Sequence, residues 1–296
     1  MADSVQLDSL SRQLAEAVEL VPWCDEPPAE YGDVRGIFTY GHPLVDGRMM
    51  DRLPQLRTIS NFGVGIDHID VAAARERGIT VSNTPGVLDG AVADLAMTLL
   101  LAAARNLAAM TRYYAQWFAG PPQVQLGSDL EHQTLGIVGL GRIGGRVARR
   151  AQAFGMRTIY HNRRRSAEAG TELEYMTLDQ LLSESDFVML TLPLTEETRG
   201  LIGRAELQRM KPTAQLINVA RGAIVDTAAL MEALSAGWIA GAALDVTEPE
   251  PLPERHPLRE MPNVFLTPHL GSATRQTREA MGAMSLRNLM AGLAQQ

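Results

Sequence analysis

The chain of 296 residues is long enough for two domains, and its 46% hydrophobic and 21% charged residues exclude a disordered or fibrous protein. Its net charge of −7 argues against a nucleic-acid partner, and its single cysteine excludes a disulfide framework and zinc sites with several cysteines. The longest uncharged apolar run, residues 95–104, is about half as long as a membrane-spanning helix, and the first residues lack a signal-peptide pattern. We therefore expect a cytoplasmic protein without a membrane partner.

The first hundred residues alternate short β-rich runs with helical patterns. The β-rich runs cover residues 34–39, 56–62 and 79–82, and helical spacing of apolar residues covers 9–20 and 71–77. This alternation predicts a parallel sheet covered by helices. One long helix is expected next, from about residue 90 to 114, and Gly120-Pro121-Pro122 closes the segment because proline cannot continue a helix.

A second α/β series follows, with six candidate strands at residues 135–138, 158–161, 187–192, 216–219, 241–246 and 264–267. Six strands that begin with a glycine-rich turn are typical of the doubly wound dinucleotide-binding fold, the Rossmann fold. The last segment, from about residue 273 to 293, is predicted as a helix that returns to the first domain. We therefore expect a dinucleotide-binding domain at residues 103–273 and a discontinuous substrate-binding domain at residues 1–102 and 274–296.

A G-x-G-x-x-G pattern at residues 139–144 follows the first strand of this series and opens a helix. In that context the first glycine permits a tight turn, the second lets backbone N–H groups reach a pyrophosphate, and the third lets helix and strand pack closely. The helix N-terminus adds partial positive charge for the phosphates. The alternative is a glycine turn that only packs. The pattern predicts dinucleotide contacts at Gly139, Gly141, Arg142, Ile143 and Gly144.

The second strand of this series ends in a basic run. Enzymes that use NAD usually carry an acidic residue about 20 residues beyond the glycines, where it binds the ribose hydroxyls. Here Asn162 stands at that place, and Arg163 and Arg164 follow it. A carboxylate would repel a 2′-phosphate, whereas guanidinium groups bind it. We therefore expect a preference for NADPH/NADP over NADH/NAD; the alternative is a solvated basic run.

Four further motifs lie in order along the chain: NFGVGIDHID at residues 61–70, INVARG at 217–222, ALDVTEPEP at 243–251 and LTPHLG at 266–271. Between about residues 56 and 277 the chain thereby resembles the D-isomer-specific 2-hydroxyacid dehydrogenases, in particular the glyoxylate/hydroxypyruvate reductase branch. The resemblance implies a Rossmann domain and a smaller flavodoxin-like α/β substrate domain. It also implies hydride transfer between NADP(H) and a small 2-ketoacid or D-2-hydroxyacid, with glyoxylate or hydroxypyruvate as the ketoacid.

By this resemblance, three side chains that follow predicted strands carry out the reaction. Arg221 would bind the carboxylate and carbonyl oxygen of the substrate, and His269 would protonate that oxygen as hydride arrives from the nicotinamide. Glu250 would accept a hydrogen bond from His269 and favour its protonated form. Glu248 competes for this role, but the family's glutamate lies five residues after the aspartate that matches Asp245. The alternative for Arg221 is a surface arginine.

The same resemblance implies that backbone N–H groups of Val64 and Gly65 complete the site for the substrate carboxylate, and that Asp245 faces the nicotinamide carboxamide. Asp70 is expected to cap the helix at 71–77. No metal-ligand spacing such as H-E-x-x-H occurs, so no metal is expected. The remaining implied cofactor contacts are Leu192, Pro193, Thr198, Val219, Ala220 and Gly271.

Two segments depart from the family pattern. The first ten residues make a poor β-strand, so the first strand is expected to be short or missing. Residues 113–130 are less typical, and together with the long helix they are expected to form a homodimer contact in which Trp117 reaches toward the partner's site. Two alternatives for the function stay open: an NAD-dependent dehydrogenase for a larger acid, and a non-enzymatic dinucleotide sensor similar to corepressors of this fold.

Overall fold

The computed structural model describes residues 4–41, 43–114, 126–166 and 173–294. The chain divides into two compact units: Met1–Leu88 with Ser272–Gln296, and Asp89–Gly271. This division lies earlier in the chain than the one predicted after residue 102, because helix α4 (Asp89–Ala104) packs on helix α6 (Arg142–Ala153) of the second unit. Among the described residues, no helix is long and apolar enough to span a membrane.

The first unit contains a parallel sheet of three strands in the order β1-β2-β3. Its elements are α1 (Ser4–Ala17), β1 (Gly36–Thr39), α2 (Gly47–Asp51), β2 (Thr58–Asn61), α3 (Val71–Glu76), β3 (Thr80–Ser82) and α10 (Arg275–Ala294). Helix α10 packs against all three strands and so brings the C-terminal segment into this unit. No strand precedes β1 among residues 4–35. Asp70 caps α3, as predicted, by accepting a hydrogen bond from the N–H of Ala73 at 2.9 Å.

The second unit contains a parallel sheet of seven strands in the order β10-β9-β8-β7-β4-β5-β6, the doubly wound arrangement. The strands are β4 (Thr134–Val138), β5 (Arg157–His161), β6 (Glu174–Tyr175), β7 (Phe187–Leu190), β8 (Gln215–Asn218), β9 (Gly241–Leu244) and β10 (Val264–Leu266). Helices α7 (Leu178–Glu184), α8 (Arg204–Arg209) and α9 (Thr227–Ala236) complete the unit. The predicted Rossmann fold is therefore confirmed, with β6 as a strand that the sequence pattern did not indicate.

The predicted single helix from residue 90 to 114 is wrong, because the structure has two helices there. Helix α4 ends at Ala104, and α5 (Leu107–Tyr114) begins after a break at Asn106. Asn106 has a φ of 50°, in the left-handed region that asparagine tolerates best after glycine. Its side-chain nitrogen also donates to the carbonyl oxygen of Leu126 at 2.9 Å. Trp117 and the segment 120–122 lie outside the described residues.

The core of the second unit lies on both faces of its sheet. On β7, Phe187 and Met189 enter the apolar cluster beside α4 and α6, whereas Val188 and Leu190 enter the cluster beside α7, α8 and α9. All four residues are buried, which explains why the central strands are continuously apolar rather than alternating. With both faces covered, the carboxyl edge of the sheet is the place where loops are available for a ligand.

Candidate active site

The turn between β4 and α6 is shaped by glycines with different surroundings. Gly139 has a φ of 103°, and a Cβ atom there would lie 2.6 Å from the backbone nitrogen of Leu192. A Cβ atom at Gly144 would lie 2.6 Å from the carbonyl oxygen of Gly139, whereas one at Gly141 would meet no atom within 4 Å. The space beside Gly141, at the N-terminus of α6, therefore fits the pyrophosphate of a dinucleotide.

The end of β5 is tied to this turn by three hydrogen bonds. The N–H of Gly139 donates to the carbonyl oxygen of His161 at 2.9 Å. The N–H of Leu140 donates to Asn162 Oδ1 at 2.6 Å, and Asn162 Nδ2 donates to the carbonyl oxygen of Leu140 at 3.0 Å. The hydroxyl of Tyr175 donates to the carbonyl oxygen of Asn162 at 3.2 Å. The half-buried Asn162 is therefore part of the turn's own hydrogen bonding.

Three arginines follow the end of β5 with exposed side chains. The guanidinium of Arg165 lies over the ring of Tyr175, 5.2 Å from its centroid, in a cation–π contact. The pKa of Glu197 lies below its ordinary value, first because the hydroxyl of Thr195 donates to its carboxylate and also because the positive charge of Arg163 attracts it. Arg163 therefore lies near the loop that follows β7.

Arg142, the first residue of α6, directs its side chain toward α4. Its Nε donates to the carboxylate of Asp89 at 3.1 Å, and Asp89 is 1% exposed at the start of α4. The pair fixes the side chain at the beginning of the helix whose N–H groups face the open space beside Gly141. Sequence reasoning did not find Asp89, because the two partners lie 53 positions apart.

Arg221 follows β8 and is held by an asparagine at the end of that strand. Asn218 Oδ1 accepts from the N–H of Ala220 at 3.0 Å, and Asn218 Nδ2 donates to the carbonyl oxygen of Arg221 at 2.8 Å. Arg221 Nη1 donates to the carbonyl oxygen of Ala220 at 2.8 Å. Asn218 is 1% exposed, so the backbone that carries the guanidinium is fixed from inside the protein.

His269 follows β10, and its ring contacts the predicted glutamate. Its Nδ1 lies 2.6 Å from Glu250 Oε1, and the two side chains are 32% and 36% exposed. A carboxylate at Nδ1 keeps a proton on that nitrogen and fixes the orientation of the ring, so Nε2 is the atom that can exchange a proton with a ligand. Glu250, rather than Glu248, makes this contact.

Asp245 follows β9 and holds the segment around His269. It is 1% exposed, and its backbone carbonyl oxygen accepts from the N–H of His269 at 3.0 Å. Its carboxylate accepts from the Thr267 hydroxyl at 2.6 Å, from the N–H of Leu270 at 2.7 Å and from the N–H of Gly271 at 2.9 Å. His269 has a φ of 55°, and these bonds maintain that left-handed backbone. The sequence indicated Asp245 only as a contact of the nicotinamide, and it did not indicate these bonds to the His269 segment.

The loop after β7 lies beside the glycine turn. The hydroxyl of Thr191 donates to the carbonyl oxygen of Gly139 at 2.8 Å, and the hydroxyl of Thr198 donates to that of Pro193 at 2.7 Å. The turn and this loop therefore form one connected edge. The remaining predicted cofactor residues of the second unit lie in loops at the same edge: Leu192, Val219, Ala220 and Gly271.

In the first unit, two asparagines hold the loop that contains Val64 and Gly65. Asn61 Nδ2 donates to the carbonyl oxygens of Gly63 and Gly65, at 3.0 and 2.9 Å. Asn83 Nδ2 donates to the carbonyl oxygen of Val64 at 2.8 Å. The carbonyl oxygens of Val64 and Gly65 therefore accept hydrogen bonds from side chains of the first unit. Among the described residues, no group of three or more His, Cys, Asp or Glu side chains is arranged to hold a metal ion.

Comparison with known proteins reveals extensive similarity. The sequence model of a family described as "D-isomer specific 2-hydroxyacid dehydrogenase, NAD binding domain" matches residues 97–271. A glyoxylate reductase of Thermococcus gammatolerans is 49% identical over 267 residues, which are 88% of this chain and 80% of the relative. The sequence similarity therefore extends over most of both chains.

Solved structures show the same similarity in three dimensions. An NADPH-dependent glyoxylate/hydroxypyruvate reductase of Sinorhizobium meliloti, in complex with NADP and malonate, is 40% identical with a TM-score of 0.83, covering 91% of this chain and 84% of that chain. A D-lactate dehydrogenase of Aquifex aeolicus, complexed with NAD and lactic acid, is 27% identical with a TM-score of 0.83, covering 99% and 93%. One similar protein thus holds NADP and the other NAD.

Proposed function

Because this chain belongs to the D-isomer-specific 2-hydroxyacid dehydrogenase family, we propose that it reduces small 2-ketoacids, glyoxylate or hydroxypyruvate, to the corresponding 2-hydroxyacids. It is an oxidoreductase that uses a nicotinamide dinucleotide. The observation that carries the proposal is the His269–Glu250 pair, 2.6 Å apart, at the sheet edge that also contains the glycine turn. The relatives named glyoxylate reductase support the substrate class.

The nicotinamide, when bound, supplies the hydride, and the chain's own residues supply the proton and the binding. The Nδ1–H of His269 donates a hydrogen bond to Glu250 and stays on the ring, and the Nε2 proton is transferred to the carbonyl oxygen of the substrate. Glu250 keeps the other proton on Nδ1 and orients the ring for that transfer. Arg221 binds the substrate carboxylate with guanidinium donors, a task that suits its planar fork. In oxidation the same Nε2 accepts the proton.

Val64 and Gly65 are proposed to bind the substrate carboxylate through their backbone N–H groups. Two observations support this role: Asn61 Nδ2 donates to the carbonyl oxygen of Gly65 at 2.9 Å, and Asn83 Nδ2 donates to that of Val64 at 2.8 Å. A loop fixed through its carbonyls keeps its N–H groups in a constant orientation, which preorganised anion binding requires.

For the cofactor, we propose contacts at Gly139, Gly141, Arg142, Ile143, Gly144, Leu192, Pro193, Thr198, Val219, Ala220, Asp245 and Gly271. Asp245 is proposed to accept from the nicotinamide carboxamide in addition to its three bonds within the chain. A preference for NADPH is proposed on the exposed positive charges of Arg163 and Arg164 directly after β5. The NADP-bound relative supports it, and the NAD-bound relative marks the alternative.

A homodimer is proposed on an apolar groove in the second unit. Leu101, Leu107, Met110, Leu126 and Phe265 line it, and Leu107 and Leu126 are 42% and 88% exposed. Sedimentation at micromolar concentration tests this, with a dimer expected and a monomer contradicting it. The acidic net charge supports a small-molecule ligand rather than a nucleic acid, and the single cysteine supports a cytoplasmic location.

A steady-state screen tests the proposed reaction. Glyoxylate, hydroxypyruvate, pyruvate and an aromatic 2-ketoacid are each offered with NADPH and with NADH. The proposal expects the highest kcat/KM for glyoxylate or hydroxypyruvate with NADPH. Highest turnover of the aromatic acid with NADH would favour the larger-acid alternative, and dinucleotide binding without turnover of any ketoacid would favour a non-enzymatic sensor.

A further inference from the structure

Asn162 occupies the position where dinucleotide-binding proteins often carry an acidic residue for the ribose hydroxyls. Its side chain instead engages the glycine turn, accepting from the N–H of Leu140 at 2.6 Å and donating to its carbonyl oxygen at 3.0 Å. We propose that Asn162 is a positioning residue that holds this turn for the pyrophosphate of either dinucleotide and does not select between NADPH and NADH. The inference rests on the proposed dinucleotide at the turn.

The burial of Leu140 explains why this pair of bonds matters. Leu140 is 1% exposed, so its backbone N–H and carbonyl groups need partners inside the protein. Leu140 also lies between Gly139 and Gly141, so any shift of its peptide groups moves the N–H groups that would face the phosphates. The carbonyl oxygen of Asn162 is itself held by Tyr175 at 3.2 Å. The backbone of Asn162 is therefore held by Tyr175, and the side-chain amide of Asn162 holds the turn.

The pair of bonds requires an amide rather than a carboxylate. The backbone of Leu140 presents one donor and one acceptor, and the side-chain amide of asparagine offers the matching acceptor, Oδ1, and donor, Nδ2. A carboxylate keeps the contact with the N–H but places its second oxygen against the carbonyl oxygen of Leu140, where two acceptors repel. Selection between the dinucleotides then falls to Arg163 and Arg164, whose charges complement a 2′-phosphate.

The test measures the Kd of NADPH and of NADH by titration calorimetry for wild-type protein and Asn162→Asp. We expect both Kd values to rise by about tenfold, with their ratio unchanged within about threefold, because the turn serves both ligands. Asn263→Asp is the matched control: Asn263 Nδ2 also donates to a backbone carbonyl, that of Ala240 at 3.1 Å, but Asn263 directly precedes β10, away from the turn. This control should bind both dinucleotides as the wild type does.

The pH dependence of NADH binding separates a positioning role from a general loss of structure. The carbonyl oxygen of Leu140 disfavours the ionised form of the introduced carboxyl, whereas the N–H of Leu140 and the charges of Arg163 and Arg164 favour it. When protonated, the carboxyl donates an O–H to the carbonyl oxygen, as the amide donates its N–H. Binding of NADH to Asn162→Asp, relative to wild type at each pH, should therefore recover as the pH falls from about 8 to about 5. NADH is the probe because it lacks a 2′-phosphate that titrates in this range.

The outcomes separate this inference from the proposed function. A shared loss with recovery at low pH supports a positioning role, whichever dinucleotide the wild type prefers. Weaker NADPH binding with unchanged or tighter NADH binding would overturn it and make Asn162 a specificity residue, and so would a shared loss that is equal at both pH values. Wild-type protein that binds neither dinucleotide would overturn the proposed function and the inference together. If Asn162→Asp does not fold, Asn162→Ala replaces it and should weaken both ligands alike.

Discussion

Two loops at the carboxyl edge of the second sheet each bind one polar side chain through more than one hydrogen bond, and these two side chains, Asn162 and Asp245, differ in chemistry. The glycine turn presents a donor and an acceptor, and the neutral amide of Asn162 satisfies both. The segment around His269 presents only donors, and the buried carboxylate of Asp245 accepts three of them. Replacement of the amide by a carboxylate is therefore disruptive at position 162, and replacement of the carboxylate by an amide is disruptive at position 245.

The comparison also separates two tasks. The turn with Asn162 faces the pyrophosphate of the proposed cofactor, so its disturbance should appear in dinucleotide affinity. The segment with Asp245 positions the proposed acid, so its disturbance should appear in the rate of proton transfer. The following variants test whether these tasks are separate.

The largest effect is expected for His269→Gln, which removes the proton donor from the His269 segment. The kcat for ketoacid reduction should fall by about 10²–10⁴, the usual contribution of general acid catalysis, while the Kd of the cofactor stays near wild type. Steady-state kinetics and calorimetry measure the two quantities. His132→Gln, at an exposed histidine, is the matched control. Turnover that stays close to wild type in His269→Gln would remove His269 from the chemistry.

Arg221→Lys is the next largest change, because it keeps the charge but removes the planar fork. The kcat/KM for glyoxylate should fall by about 10²-fold, since a point ammonium cannot replace two parallel hydrogen bonds to a carboxylate. Steady-state kinetics with varied glyoxylate measure it. Arg209→Lys, an exposed arginine in α8, is the control and should behave as wild type. Equal activity of both variants would place Arg221 outside the substrate site.

Asp245→Asn sharpens the comparison at the buried carboxylate. An amide nitrogen cannot accept from the N–H of Leu270 or Gly271, so the backbone at His269 should shift and the kcat should fall by about tenfold or more. The Kd for NADH should change by less than about threefold, because a single neutral hydrogen bond is the most that the carboxamide would lose. A large loss of NADH affinity with an unchanged rate would show that Asp245 acts mainly on the cofactor.

The last effect, confined to one dinucleotide, is expected for the exposed arginines next to Asn162. Arg163→Ser combined with Arg164→Ser should raise the KM for NADPH by about tenfold or more and leave the KM for NADH level, since charge-assisted bonds to the 2′-phosphate are lost. Increased salt should weaken NADPH selectively in the wild type. Arg165→Ser, which removes a charge that lies over Tyr175, is the control. A wild type that uses NADH as well as NADPH would show that these arginines are a solvated run.

Local patterns predicted the parts of this protein that depend on neighbours in sequence. The strand–glycine–helix order predicted the turn at residues 139–144, and the resemblance to the family favoured Glu250 over Glu248. Side chains that connect distant positions could not be found in this way: Asp89 contacts Arg142 across 53 positions, and Leu140 contacts Asn162 across 22. The helix break at Asn106 and the two-residue strand β6 were also missed, because a single left-handed residue and a very short strand leave no periodic signal.

The separation of the two loops is tested most directly by measuring dinucleotide Kd and the single-turnover rate of glyoxylate reduction at saturating cofactor on the same preparations of Asn162→Asp and Asp245→Asn. We predict that Asn162→Asp weakens both NADPH and NADH by about tenfold and leaves the single-turnover rate within about threefold of wild type. We predict the reverse for Asp245→Asn, a slow turnover with nearly unchanged Kd values. If each of the two variants lost dinucleotide affinity and single-turnover rate by similar factors, the assignment of separate tasks to the two loops would be contradicted.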